Sequence, residues 1–321
     1  MQAPIYFDRS TGAMVGATTW ERGVGYALLA GSKVGALISH RGYNMCANLL
    51  KTTLPERDIN VKLGPGAVFS FPYGDGYWSK LLNRTFRYED DLELLLLDSR
   101  DVEYTLIDCG ANYGYWSVLV SSPCFGSHKS IAIEPSSKNF PRLKHNARIN
   151  GGRFHTIHAA IGEKCGTARL SGTKHEAFSI VGDPDADGEE VRVMTLDGLI
   201  DEGIVQAQGR YLIKLDVEGV EIEAMKGGRR LLQTDSMVIC EEHGSDRNHT
   251  VSRYIIEQTP MKVIVYDPGT GRFEPLADLS MLDRIKAAPH VGYNVFATSS
   301  AFWEQRIYGL NSGDARRAMT Q

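Results

Sequence analysis

The feature that most constrains the fold is a regular alternation, from Tyr104 onward, of short apolar runs and longer helical patterns. Most of the runs are almost continuously apolar, which is typical of parallel strands covered on both faces. Helical patterns such as 140–150 and 220–233 lie between them, the second interrupted at Gly227 and Gly228. This alternation predicts an α/β protein with a doubly wound, mostly parallel sheet. The runs are YTLID (104–108), SIAIE (130–134), FHTIHAA (154–160), VRVM (191–194), YLIKLD (211–216), MVICE (237–241), MKVIVYD (261–267) and GYNVFAT (292–298).

The rest of the chain is predicted to frame this core. Residues 1–60 are interpreted as a mainly helical N-terminal extension, residues 61–300 as the main domain with its core from about 101, and residues 301–321 as a C-terminal helix or tail. Within the extension, residues 20–51 have helical patterns, and Thr53–Pro65 is predicted to be an irregular connection.

Three observations bear on location. The longest apolar stretch, Val24–Ile38, has 15 residues, against the ~20 that span a bilayer. The start of the chain lacks the pattern of a signal peptide. The five cysteines form no C-x-x-C pair, which favours reduced thiols and a cytoplasmic location. Peripheral membrane contact and a homodimer interface remain open alternatives for the N-terminal helix.

The strongest local signal is LIDCGANYGYWS, residues 106–117. An apolar run ends at Asp108, a glycine-bearing turn follows, and a helical pattern begins near Tyr113. Gly110 and Gly114 let a ligand approach the backbone closely, and the helix N-terminus presents unpaired N–H groups. The G-x-G-x-x-G pattern of dinucleotide enzymes is absent. Asp108 before the turn suits a ligand with an ammonium and a carboxylate, such as the methionine end of S-adenosylmethionine.

Three further signals follow at the ends of later runs. Glu134 can accept hydrogen bonds from both hydroxyls of an adenosine ribose, and Ala160 is expected beside the adenine. Asp216 and Glu218 lie at or beyond the end of the 211–216 run. Because ligands of open α/β sheets bind at the carboxyl ends of strands, these positions are predicted to share one site.

These residues resemble the FkbM family of methyltransferases. The resemblance rests on D-C-G-A-N-Y-G-Y-W-S (108–117), Glu134-Pro135 with Asn139-Phe140, Asn146 and Asn150, T-L-D (195–197), K-L-D-V-E-G-V-E (214–221) and E-E-H (241–243). It covers residues 62–300, with Tyr88-Glu89 where the family often has Tyr-Glu-Pro. It implies a class I methyltransferase with a Rossmann-like, seven-stranded sheet that transfers methyl groups from S-adenosylmethionine, usually to a hydroxyl, leaving S-adenosylhomocysteine. The expected cofactor-binding residues are Asp108, Gly110, Ala111, Asn112, Gly114, Glu134, Pro135, Ala160 and Asp216.

Methylation of a hydroxyl needs alignment, a dry site and a base. His243 and Asp216 are the candidate bases, with Glu218 and Glu241 as orienting or substrate-binding groups. For His243 a capping or core hydrogen bond is the alternative, and for Asp216 contact with the cofactor without proton transfer. A divalent cation held by Asp216, Glu241, Glu242 and His243 is an unfavoured alternative, and no metal ligands are assigned.

The expected acceptor is a small molecule or glycan, with the methyl group going to a sugar hydroxyl. The alternatives are methylation of nitrogen or of an RNA ribose, and a non-catalytic binding or scaffold protein of the same fold. The net charge of −4 and the absence of a basic run with interleaved aromatics argue against nucleic acid as a partner.

Overall fold

The structure is a computed structural model, and it describes residues 2–37, 52–174, 177–181, 188–289 and 291–312. Residues 32–37 and 171–181 are described by their backbone alone. Residues 182–187 lie outside the described residues, and so do 38–51 of the predicted N-terminal helical region and 313–321 of the predicted tail. The sequence D-P-D-A-D-G (183–188), which resembles the start of an EF-hand loop but is better interpreted as a hairpin turn, falls mostly in the first of these segments.

Sixteen strands occur in the described part of the chain. They are β1 (Ile5–Asp8), β2 (Ala13–Val15), β3 (Asp58–Gly64), β4 (Ala67–Pro72), β5 (Thr105–Cys109), β6 (Lys129–Ile133), β7 (His155–Ile157), β8 (Ala160–Ile161), β9 (Gly166–Lys174), β10 (Ala177–Val181), β11 (Glu189–Met194), β12 (Arg210–Leu215), β13 (Asp235–His243), β14 (Lys262–Asp267), β15 (Arg272–Pro275) and β16 (Gly292–Thr298).

Ten α-helices occur in the same described ranges. They are α1 (Thr19–Leu37), α2 (Asp90–Asp98), α3 (Tyr115–Val120), α4 (Phe140–Ile149), α5 (Leu196–Asp201), α6 (Glu221–Lys226), α7 (Arg229–Leu232), α8 (Thr250–Gln258), α9 (Ser280–Ile285) and α10 (Ala301–Gly309). Short 3₁₀ turns cover Trp78–Leu82, Ser99–Asp101 and Pro123–Phe125.

The main sheet has eight strands in the order β15-β14-β16-β13-β12-β5-β6-β7. Strands β7, β6, β5, β12 and β13 are parallel, and β16 runs antiparallel between β13 and β14. Seven of these strands are runs predicted from the sequence, and their order is that of a class I methyltransferase sheet. The eighth, β15, is added by a hairpin with β14, so the sheet is mixed and larger than the predicted seven strands.

The main sheet is covered on both faces. Its alternate residues are divided between two hydrophobic clusters, with Leu106 and Leu212 in one and Ile107 and Ile213 in the other. Because the chain runs from β5 out to β7 and then returns to β12 on the other side of β5, the strand order reverses between β5 and β12. Ligand sites of open sheets form at such a reversal.

The run at 191–194 forms a strand but belongs to a smaller sheet, ordered β10-β9-β11-β8. Strand β8 comes from the second half of the predicted 154–160 run, which the structure divides between β7 and β8. The division places Ala160 and Ile161 in this smaller sheet, directly after the end of β7.

The N-terminal region contains more strand than the sequence predicts. Helix α1 is present, but β1 and β2 pair with β3 and β4 in a four-stranded sheet, β2-β1-β3-β4. The prediction of an irregular connection over Thr53–Pro65 is therefore wrong, because Ile59 and Val61 of β3 alternate with polar residues and fill the core. The predicted domain boundary at residue 60 stays a prediction, and the parallel pairing of β1 with β3 crosses it.

Two asparagines, Asn146 in α4 and Asn150 directly after it, join this N-terminal sheet to the main sheet. The Asn146 side chain accepts a hydrogen bond from the Ser70 backbone N–H (2.7 Å) and donates to the carbonyls of Ser70 and Tyr113 (3.0 and 2.9 Å). The Asn150 side chain likewise accepts a hydrogen bond from the Val68 backbone N–H (3.0 Å) and donates one to the Val68 carbonyl (2.6 Å). The two side chains thereby pair the open edge of β4 as another strand would.

Candidate active site

A cleft opens at the carboxyl edge of the main sheet and encloses about 680 Å³ when the solvent at its open mouth is included. It crosses the ends of β12, β5, β6 and β7, which at ~4.8 Å per strand spacing extend over about 14 Å. The residues that line it are Tyr77, Trp78, Tyr88, Gly110, Asn112, Ile133, Glu134, Pro135, Asn139, Ala159, Ala160, Ile161, Leu170, Asp216, Val217 and Glu218.

The floor of the cleft is the turn between β5 and α3. Gly110 has a φ of +78°, and a Cβ there would lie 1.8 Å from the carbonyl oxygen of Asp216. Both the backbone conformation and the contact therefore require glycine. Asn112 has a φ of +51°, and its backbone N–H donates to Glu134 (2.8 Å). The turn is thus fixed to the ends of both neighbouring strands, β12 and β6.

One end of the cleft, here called the Glu134 end, consists of Glu134, Pro135 and Ala159–Ile161. The Glu134 carboxylate is buried and accepts backbone hydrogen bonds from Asn112 and Ser136 (2.8 and 2.9 Å). Burial raises the pKa of Glu134 to about 7, against the lowering effect of these donors. The two donors fix the carboxylate next to an apolar wall, an arrangement suited to ribose hydroxyls beside an adenine.

The opposite end, here called the Asp216 end, consists of Tyr77, Tyr88, Asp216 and Glu218. The Lys214 ammonium lies 2.7 Å from Asp216 and 3.5 Å from Glu89, with only 4% of its side chain exposed. Burial alone would lower the pKa of Lys214, but Asp216 and Glu89 raise it well above its ordinary value. Lys214 is therefore a permanent cation beneath this end of the cleft.

Asp216 is also hydrogen-bonded to Glu241. Burial and the negative charge of Asp216 raise the pKa of Glu241 strongly. Burial acts in the same direction on Asp216, but Lys214 and the bond from Glu241 lower its pKa overall. Glu241 therefore holds the proton of the pair at neutral pH and donates it to the Asp216 carboxylate. Gly292 on the adjacent strand makes room for Glu241, since a Cβ there would lie 1.2 Å from its carboxylate oxygen.

His243 stands at the rim, at the last residue of β13. Its side chain is half exposed, and Nε2 lies 3.8 Å from a carboxylate oxygen of Glu218. Glu218 has a φ of +54°, a conformation that is uncommon outside glycine and asparagine. The pair combines an accessible imidazole with a carboxylate that can orient it, which is the arrangement of a base with its positioning group.

The structure gathers most of the predicted site residues at the cleft. Gly110, Asn112, Glu134, Pro135, Ala160, Asp216 and Glu218 line it, and Glu241 and His243 adjoin Asp216 and Glu218. Asp108, Ala111 and Gly114 are not among the lining residues. The Asp108 carboxylate is buried and accepts a hydrogen bond from Ser117 (2.7 Å), so in this conformation it holds helix α3 against β5. The roles of these residues in catalysis and cofactor binding remain predictions.

Four residues of the site were not predicted from the sequence. Tyr77, Trp78 and Tyr88 wall the cleft and Glu89 contacts Lys214, yet all precede the first core strand. The Tyr77 and Tyr88 hydroxyls are 2.9 Å apart, and Trp78 stacks on Tyr115. The aromatic content of GDGYW (74–78) is a signal that could have found Tyr77 and Trp78, and the family-like Tyr88-Glu89 element could have found the other two. Tyr113, Tyr115 and Trp116 are buried as packing residues.

The acidic residues at the Asp216 end do not form a metal cluster in this conformation. Among the residues described, no group of three or more His, Cys, Asp and Glu side chains has a metal-binding arrangement. Glu242 points away from Asp216, since it is buried and accepts a hydrogen bond from the Ser252 hydroxyl (2.9 Å).

Within the described ranges no helix is long and apolar enough to cross a membrane.

Comparison with known proteins agrees with this geometry. Residues 108–259 match the model of the methyltransferase FkbM domain. Over 174 residues the chain is 25% identical to the hexuronic acid methyltransferase AglP of Haloferax volcanii, covering 54% of this chain and 70% of that protein.

Two solved structures show weaker likenesses. The methyltransferase FkbM of Methylobacillus flagellatus KT is 17% identical with a TM-score of 0.39, covering 69% of this chain and 46% of that one, so the chain spans less than half of its length. The precorrin-6y C5,15-methyltransferase of Geobacter metallireducens GS-15 is 13% identical with a TM-score of 0.37. The match covers 66% of this chain and 88% of that protein.

The matched segment contains the glycine turn, Glu134, Asp216 and His243, and the sheet around it has the class I strand order. The methyltransferase fold implies the use of S-adenosylmethionine. The chain is therefore a methyltransferase, and its residues 108–259 match the FkbM methyltransferase domain.

Proposed function

We propose that the protein is an S-adenosylmethionine-dependent O-methyltransferase that methylates a sugar hydroxyl. The observation that carries the proposal is the composition of the cleft. Its Glu134 end provides a ribose acceptor beside an apolar wall, and its Asp216 end leads to an imidazole–carboxylate pair at the rim. A bound cofactor at one end and an accessible base at the other are the two requirements of hydroxyl methylation.

The residues present fit the cofactor. Glu134 and Ala160 would hold its adenosine, and Gly110, Asn112 and Asp216 its methionine portion. When bound, S-adenosylmethionine supplies an electrophilic methyl group attached to a sulfonium. Tyr77, Trp78 and Tyr88 cover the cleft with aromatic surface, which excludes water from the place where an acceptor oxygen must align.

His243 is proposed to take the proton of the acceptor hydroxyl. Its half-exposed imidazole lies at the rim, next to the carboxylate of Glu218. Asp216 suits this role less well, because Lys214 and Glu241 already engage its carboxylate. Glu218 would orient the ring and stabilise the imidazolium that forms.

A sugar acceptor is supported by the name of the relative from Haloferax volcanii, a hexuronic acid methyltransferase. The partly exposed carboxylate of Glu218 and the Tyr77 and Tyr88 hydroxyls also offer polar groups that vicinal hydroxyls can bind. Such polar groups held by aromatic walls fix orientation in small-molecule sites.

The test begins with calorimetric titration of the protein with S-adenosylhomocysteine and with NAD. We expect micromolar binding of the first and none of the second, and binding of NAD alone would overturn the proposal. Transfer of labelled methyl groups is then measured to neutral sugars, uronic acids, amines and RNA oligonucleotides. Label in sugars supports the proposal, and label confined to amines or RNA contradicts it. Cofactor binding without any product would favour a non-catalytic protein.

A further inference from the structure

The cluster around Lys214 contains more acidic groups than its one ammonium can balance. Glu89, Asp216 and Glu241 surround it, and we call these four residues the Lys214 cluster. Three of them lie within the matched FkbM segment, whereas Glu89 lies 19 residues before it. Glu89 matches an element of the family pattern, but it lies outside the matched segment and no role in the site was assigned to it from the sequence.

The contacts of Glu89 favour its carboxylate form. Its oxygens accept hydrogen bonds from the Trp116 indole N–H and the Asn294 side chain, and one lies 3.5 Å from Lys214. Every one of these partners is a donor and stabilises the ionised group, against burial, which raises the pKa of Glu89. Glu89 also has a φ of +50°, a conformation that costs free energy and is found preferentially at functional sites.

The charge of the cluster follows from these contacts. The proton of the Asp216–Glu241 pair leaves one negative charge on that pair. Glu89 adds a second negative charge, and Lys214 supplies one positive charge. The four residues of the Lys214 cluster therefore carry a buried net charge of about −1 beneath the Asp216 end of the cleft, and the buried Asp108 carboxyl group adds to the acidic side of this balance. The low local dielectric strengthens the effect of this charge on a ligand.

We propose that Glu89 is a specificity-determining residue, whose charge makes the cleft favour the cationic methyl donor over the demethylated product. The proposal rests on the proposed function, since it concerns the cofactor of that reaction. S-adenosylmethionine and S-adenosylhomocysteine share the adenosine, ammonium and carboxylate and differ at sulfur, which is a sulfonium in the donor and a neutral thioether in the product. A negative charge near the sulfur therefore discriminates between them.

The experiment measures the ratio of Kd for S-adenosylhomocysteine to Kd for S-adenosylmethionine by calorimetry, in the full chain and in Glu89→Gln. Glutamine keeps the size of the side chain and an acceptor oxygen for Trp116 but removes the charge. We expect this substitution to lower the ratio by about three- to tenfold, the effect of one unit charge at a partly screened distance. The ratio reports the discrimination, because a general loss of affinity cancels in it.

Two variants serve as controls. Glu89→Asp retains the charge and is expected to leave the ratio within about twofold of its original value. Glu304→Gln makes the same chemical change in the ion pair of Glu304 with Lys262 (2.6 Å). This pair lies toward the opposite edge of the main sheet, because Lys262 is paired with Thr298, which is also paired with Met237 near the start of β13. It is expected to leave the ratio unchanged.

The unaltered protein offers a measurement that does not depend on the folding of any variant. Sinefungin, in which an amine-bearing carbon replaces the sulfonium, is also cationic there and is expected to bind more tightly than S-adenosylhomocysteine. Weaker binding of sinefungin, or an unchanged ratio in a folded Glu89→Gln, overturns this inference alone. If no S-adenosyl ligand binds the unaltered protein, the proposed function falls and this inference with it.

Discussion

The two ends of the cleft are built in different ways. The Glu134 end is built from neighbouring turns, because Glu134 and Pro135 follow β6, Ala159–Ile161 lie at β8, and the Asn112 N–H that fixes Glu134 comes from the turn after β5. The Asp216 end draws on segments far apart in the chain, with Tyr77 and Glu89 before the first core strand and Asp216, Glu241 and Asn294 after it. The first end depends on backbone turns, and the second depends on long-range packing of charged side chains.

This difference indicates which end can vary among proteins of the same fold. The Glu134 carboxylate is fixed by two backbone N–H groups, one from its own turn and one from the turn after β5, so this end does not depend on the N-terminal region. The Lys214 cluster persists only if the N-terminal region remains docked, which Asn146 of α4 and Asn150 directly after it support through the edge of β4. The following predictions probe the contrast from the largest expected effect to the smallest.

Gly110→Ala is predicted to disrupt both ends at once, because Gly110 lies where the turn meets Asp216. The added Cβ would overlap the Asp216 carbonyl, and the φ of +78° disfavours any side chain. We expect the free energy of unfolding to fall by about 4 kcal/mol and binding of S-adenosylhomocysteine to become undetectable. Denaturant unfolding and calorimetry measure the two effects.

Gly219→Ala is the matched control, since it has a φ of +97° but no atom within 4 Å of the added Cβ. Its expected cost is only about 1 kcal/mol. Equal losses in the two variants would mean that backbone conformation matters at Gly110 and the contact with Asp216 does not.

His243→Ala is predicted to separate catalysis from binding. It should reduce kcat by about 10²–10⁴-fold, the usual contribution of a general base, and leave the affinity for S-adenosylhomocysteine unchanged. Initial rates with an accepted sugar, together with calorimetry, measure both quantities. Near-normal turnover in a folded variant would exclude His243 as the base and return Asp216 to that role.

Glu134→Ala is predicted to damage the other end alone. Loss of hydrogen bonds to a charged acceptor costs about 1.5–3 kcal/mol, or about 10- to 150-fold in the affinity for S-adenosylhomocysteine. The ratio of affinities for donor and product should stay constant, in contrast to Glu89→Gln. Unchanged affinity in the folded variant would contradict the assignment of Glu134 to the ribose.

The smallest expected effect is a pH dependence of cofactor binding. Because burial raises the pKa of Glu134 to about 7, part of the population is protonated at pH 6 to 7. Ribose hydroxyls favour the ionised form as acceptor, so binding should release a proton, and affinity should rise about three- to tenfold from pH 6 to pH 8.

Calorimetry in buffers of different ionisation enthalpy measures this proton release. Glu134→Gln cannot titrate and should lose this component of the pH profile. If its profile matches that of the unaltered protein, Glu134 is not the group that titrates.

The sequence by itself determined the strands of the core and the contents of the Glu134 end. Continuous apolar runs mark strands buried on both faces, and a residue that directly follows such a run lies at the carboxyl edge of the sheet. For this reason Gly110, Glu134, Ala160 and Asp216 could be placed at one cleft from their sequence positions. The match over residues 108–259 covers the same region.

Only the tertiary structure decided what completes the Asp216 end. No local pattern indicates that Glu89 reaches Lys214, that Gly292 makes room for Glu241, or that Ile59 and Val61 belong to a sheet with β1. The tertiary structure also determines that Asp108 accepts a hydrogen bond from Ser117 and that Glu242 accepts one from Ser252. These contacts join residues from 9 to 125 positions apart. They depend on docked elements and shared buried charges, and neither propensity nor periodicity contains that information.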